Sequence, residues 1–171
     1  MRADSQKLLN SAAILLQVQA ILVLQPTSTA RQKTIGTYIH SVLLTVSLAA
    51  FVSAFIVIEV NKGDHPRLTS PHGILGLTTY ILIILQASVG VAQFWLPQWV
   101  FGGVENGKKV YKYHRGSGYI LLVLELATVA AATQTTFNQG ILHIGLWVAL
   151  VTAVIIILGV GARLKKHKLG L

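Results

Sequence analysis

Five long apolar runs, parted by segments that hold the basic residues and prolines, constrain this chain more than any other feature. A helix that crosses a bilayer needs roughly 20 apolar residues, within a range of about 17–25. The runs fall at about 8–24, 37–60, 72–96, 114–135 and 141–162. The first is the weakest, being short and interrupted by Asn10, Ser11, Gln17 and Gln19. All four prolines, Pro26, Pro66, Pro71 and Pro97, lie at or outside the ends of the runs, where helices tolerate them. Each run stays apolar for longer than a strand does, so helices are expected.

Composition agrees. Only 11% of the residues are charged and 53% are hydrophobic, whereas a soluble domain carries about 25% charged residues. The expectation is an all-α membrane protein with five transmembrane helices in a single domain over 1–171, ending in a basic tail at 163–171. The net charge of +9 would suggest nucleic acid in a soluble chain. Here the cations lie between apolar runs, which points to membrane topology and anionic lipid headgroups, with no nucleic acid. The chain has no cysteine, which excludes disulfides, thiolate metal sites and covalently attached c-type haem. Met1 to Lys7 is too brief for the charged region of a clear signal peptide.

Ten of the fourteen Lys and Arg residues fall on one side of the expected membrane: Arg31, Lys33, Lys108, Lys109, Lys112, Arg115, Arg163, Lys165, Lys166 and Lys168. Arg2, Lys7, Lys62 and Arg67 fall on the other. The positive-inside rule therefore puts the C-terminus in the cytosol and the N-terminus outside or in a lumen.

Three histidines stand where apolar runs begin. His40 and His114 open the second and fourth runs at the cytosolic end, and His72 opens the third at the opposite end. The second and fourth helices run in the same direction, across a diagonal of an antiparallel bundle. A porphyrin between them takes one imidazole on each face, a bis-histidine b-type site. Gly76 and Gly118 each lie four residues after a histidine, on the same helix face. They either let a porphyrin approach the backbone or let helices pack closely. His65 reads as a loop residue, His143 as a structural residue of the fifth run and His167 as part of the basic tail. Glu125, eleven residues after His114, shares the His114 face near mid-membrane. It serves either an interhelical hydrogen bond or proton-coupled tuning of the haem.

These residues resemble the cytochrome b561 family of transmembrane electron carriers. Gln17-Val18-Gln19-Ala20-Ile21-Leu22-Val23 is similar to the family's second helix, His72-Gly73-Ile74-Leu75-Gly76 to its fourth and Tyr113-His114-Arg115 to its fifth. The resemblance runs from Leu8 to about Ala162. It implies four central helices that bundle around haem b, with His40 paired to His114 and His72 to a histidine at the start of the first run. Gln6-Lys7 stands at that last position, and the family's first helix has no counterpart here. The resemblance thus implies one haem b, or two if another group replaces the missing ligand.

It further implies ascorbate as cytosolic donor, bound near Lys112, Arg115 and Lys33. Ferric iron or monodehydroascorbate would be the acceptor across the membrane, in an ascorbate-dependent oxidoreductase. A second copy of the chain, in a homodimer, is a candidate partner. The alternative is a shortened, one-haem or non-redox relative that acts as the partner of another membrane protein.

Overall fold

A computed structural model describes residues 2–64 and 66–165, so His65, Lys166, His167 and Lys168 lie outside the described residues. Six α-helices follow in order: α1 (Arg2–Val23), α2 (Ala30–Lys62), α3 (Pro71–Phe94), the short α4 (Pro97–Phe101), α5 (Val104–Ala132) and α6 (Leu146–Gly161). A turn of π-helix, Asn138–Leu142, precedes α6, and there is no strand among the described residues. Among the described residues, four helical segments are long and apolar enough to cross a membrane: Ser5–Val23, Ala30–Lys62, Pro71–Phe94 and Val104–Ala132. The chain is a multi-pass integral membrane protein.

The helix limits differ from the apolar runs for local reasons. α2 begins seven residues before the expected 37. Thr29 accepts a hydrogen bond from the Gln32 amide at 3.2 Å, and the Gln32 side chain accepts from the Thr29 amide at 3.2 Å. That reciprocal box satisfies donors that the first turn otherwise leaves open. α5 begins ten residues before the expected 114. Gly102, at φ +69°, closes α4 in the left-handed region and lets the chain turn into α5. Glu105 in the first turn of α5 suits the helix dipole and pairs with Lys108 at 2.6 Å. The apolar run marks the lipid-facing part of a helix, and capping marks the helix itself. Ser70 caps α3 by accepting from the Gly73 amide at 3.1 Å, and Pro71 takes the first helical position.

The expected fifth span, 141–162, differs most. Asn138 is buried, donates to the carbonyls of Thr133 at 2.7 Å and Ile144 at 2.9 Å, and accepts from the Ile144 amide at 3.3 Å. His143 then adopts the left-handed conformation, φ +53°. Together these hold residues 138–144 in a compact connection, so α6 starts at Leu146. Its 16 residues measure about 24 Å, against roughly 30 Å for a hydrocarbon core.

Two compact units divide the chain. In the first, α1 packs against α2. Ser47 donates to the Ala13 carbonyl at 2.8 Å and His40 meets the Ala20 carbonyl at 2.7 Å, so the two helices are antiparallel. The contact is built from small residues: Ala13, Ala20 and Ala54 are fully buried and Ser47 nearly so. Small side chains let helices approach closely where lipid offers no hydrophobic drive to associate them. In the second, α3 packs against α5, with α4 beside both. Outward positions such as Val42, Val46 and Ile56 of α2, and Ile81, Ile84 and Leu85 of α3, are exposed, as lipid contact requires.

Ala54 shares the buried face of α2 with Ser47 and Phe51. Ala54→Leu is expected to destabilise the detergent-solubilised protein by about 1–3 kcal/mol through overpacking. The exposed Val46→Leu should stay within about 0.5 kcal/mol of wild type. Thermal unfolding of the two variants compares them directly.

Candidate functional site

One face of α3 carries His72, Gly76, Thr79, Ile83, Gln86, Gly90 and Gln93 at alternating spacings of four and three. That period of 3.5 draws a continuous seam along a helix. The answering seam on α5 passes through Gly107, His114, Gly118, Leu121, Glu125 and Thr128. Contacts run antiparallel along it: His72 meets Thr128, Gln86 meets His114, and Gly107 lies against the Gln93 carbonyl. A Cβ on Gly107 would come within 3.0 Å of that carbonyl oxygen, so glycine permits the approach.

At one end of the seam the imidazole of His72 lies with Nδ1 3.1 Å from the Thr128 carbonyl oxygen. A carbonyl only accepts, so Nδ1 carries the proton. The Thr128 hydroxyl donates to the Leu124 carbonyl at 2.8 Å, so the Thr79 hydroxyl, 3.0 Å away, is the donor between the two threonines. Thr128 is thereby held from two sides while its carbonyl orients His72. Gly76 lies in ordinary contact distance of Thr128, which serves close helix packing.

His114 occupies the other end, about 21 Å along α5 from Thr128 at 1.5 Å per residue. The Gln86 amide nitrogen donates to the His114 carbonyl at 2.6 Å, and the Ser117 hydroxyl lies 2.9 Å from Gln86 Oε1. The space over Gly118 is taken by Gln86, whose Nε2 would lie 3.0 Å from an added Cβ. Gly118 therefore admits the Gln86 amide. Gly90 faces the His114 ring: a Cβ there would lie 3.1 Å from Cε1 and 3.5 Å from Nε2. Glu125 is buried, one turn before Thr128.

In the first unit, His40 repeats the arrangement of His72. Its Nδ1 is 2.7 Å from the Ala20 carbonyl oxygen on α1, so in the neutral ring the lone pair is on Nε2. Both rings are thus tied through Nδ1 to a backbone carbonyl, the support typical of a histidine that binds iron through the other nitrogen. These residues fit a b-type haem, which needs imidazole ligands and no covalent attachment.

The expected ligands and cations are distributed as follows. His72 and His114 share the α3–α5 seam at opposite ends, and Lys112 and Arg115 flank His114 on α5. His40 and Lys33 belong to α2 in the first unit, with Lys33 two turns before His40. Lys33 and Lys112 are exposed and Arg115 is half-buried. Lys112 sits 4.9 Å from the centre of the Tyr113 ring. Lys108 pairs with Glu105, and Lys109 donates to Asn106 at 2.9 Å. His143 is exposed in the connection before α6. Gln86, Gly90, Thr79 and Thr128 are absent from the sequence-based set of candidates. The 3.5-residue period through His72 was the signal that could have found the three on α3.

At a pH well above the ordinary imidazole pKa of about 6.5, 15N NMR of histidine-labelled, haem-free protein should show His40 as the Nδ1–H tautomer. A predominant Nε2–H form would contradict the Ala20 contact.

A family model described as eukaryotic cytochrome b561 matches residues 7–139, a stretch that includes His40, His72 and His114. No curated protein and no solved structure matches the chain.

Proposed function

The chain belongs to the eukaryotic cytochrome b561 family, and from that premise we propose that it is a b-type cytochrome carrying electrons from cytosolic ascorbate across the membrane. His40 and His114 are the residues that would hold one haem b, near the cytosolic face. The observation that carries this reading is the His40 ring, fixed through Nδ1 on the Ala20 carbonyl at 2.7 Å, with its Nε2 lone pair left to bind iron. Haem b, when bound, supplies one-electron chemistry, and two imidazole ligands favour electron transfer over oxygen chemistry.

The chain's own residues do the rest. Lys112, Arg115 and Lys33 draw in the ascorbate monoanion by positive charge. Lys108 and Lys109 are engaged by Glu105 and Asn106, which supports Lys112 and Arg115 as the contacts to the anion. The acceptor on the other face is ferric iron or monodehydroascorbate, reached through His72. The asymmetry of the basic residues supports a cytosolic C-terminus. Termini on opposite sides need a fifth crossing, which falls to α6.

A second reading rests on Gln6 and Lys7, which stand where the family pattern calls for a histidine to pair with His72. Neither side chain is an axial haem ligand of the kind a b-type site uses. With a single haem, the chain would be a relative that works as the partner of another membrane protein.

Purified in detergent, the protein is expected to hold one haem per polypeptide, reducible by ascorbate. That haem should be lost in His40→Ala and His114→Ala and kept in His72→Ala. Two haems would show that another group completes the His72 site. Folded protein without haem would overturn the redox reading in favour of the partner role.

A further inference from the structure

Gln86 is a primary amide in the middle of the apolar helix α3, where an unanswered polar group is costly. Its nitrogen donates to the His114 carbonyl at 2.6 Å, and its oxygen lies 2.9 Å from the Ser117 hydroxyl. Because a backbone carbonyl only accepts, the first contact fixes which end of the amide faces it. Gly118 leaves room for the amide, since a Cβ there would sit 3.0 Å from Gln86 Nε2. One turn further along α3, Gly90 presents a bare backbone to the Cε1–Nε2 edge of the His114 ring. α3 therefore touches His114 twice, once at its backbone and once at its imidazole.

From these two contacts we infer that Gln86 and Gly90 are positioning residues that set the height and the ring orientation of His114. The Gln86 bond fixes α5 against α3 at the level of His114, and the Gly90 backbone limits how far the ring can swing. The consequence for iron rests on the proposed role of His114 as an axial ligand. An axial imidazole works through the placement of one nitrogen, which supporting groups hold in position. Replacing Gln86 by Met keeps the length and removes the donor. Replacing Gly90 by Ala sets a methyl 3.1 Å from Cε1, so the ring must give by a few tenths of an ångström. Gly116→Ala, on α5 two residues from His114, meets nothing within 4 Å and serves as the control.

The test uses the full chain in detergent, titrated with haem and read by EPR of the ferric low-spin signal. Gln86→Met and Gly90→Ala are each expected to bind haem about 10-fold more weakly and to displace the low-spin signal, while Gly116→Ala matches wild type. Unchanged affinity and signal in both variants would overturn the inference and leave the proposed function standing. Haem-free protein labelled with 15N-histidine gives an independent reading, with the His114 resonance assigned by its loss in His114→Ala. That resonance should move in Gln86→Met and Gly90→Ala and stay put in Gly116→Ala. Such shifts in a protein that binds no haem would retire the proposed function and keep the positioning role. An unmoved resonance in both variants would overturn the positioning role itself.

Discussion

Polar groups inside a bilayer must find partners within the protein, and in this chain the Gln86 amide finds one in the His114 carbonyl, 2.6 Å away. The contact ties the middle of α3 to α5 at the level of a histidine. The neighbouring elements fall into line around it: Gly118 leaves the passage, Ser117 meets the other end of the amide, and Gly90 receives the ring. At the far end of the same seam, Thr79, Thr128 and His72 repeat the solution with different side chains. The helices share little that is apolar along this line. What joins them is small residues at close approach and a few well-placed hydrogen bonds, the means open to helices in lipid.

The α1–α2 pair obeys the same rule. Ser47 and His40 each spend a polar side chain on a backbone carbonyl of α1, at Ala13 and Ala20. Carbonyl oxygens within a helix keep a second lone pair after the in-helix bond, and alanine at those positions lets the partner reach it. The same bond therefore joins the helices and orients an imidazole. A ring held through Nδ1 is fixed in orientation, so helix packing and the placement of the imidazole are one arrangement.

Much of this was legible in the residues. Four of the five apolar runs are long helices, and the ordered set of Gln17 to Val23, His72 to Gly76 and Tyr113 to Arg115 pointed to the family that the chain belongs to. The limits of α2 and α5 were not legible from hydropathy, because Thr29–Gln32 capping and the Gly102 turn extend helices beyond their apolar parts. The fifth run was read as continuous. Asn138, just before the run, binds the Thr133 carbonyl and both backbone groups of Ile144 and holds the run's first residues as a connection, a contact that hydropathy does not register. Gly118 was placed on the correct face, but the neighbour that needs it, Gln86, lies 32 residues away in sequence.

The sequence by itself determined that this chain lives in a membrane, that its long apolar runs are helices, and that three histidines stand where apolar runs begin. Such properties follow from the order of apolar, polar and small residues along one helix. Only the tertiary structure decided which carbonyl fixes each imidazole, which glycine faces a ring and which faces an amide. Those choices depend on the register of one helix against another. A helix pair can slide by a turn without any change in its pattern, so only the contacts themselves reveal the register.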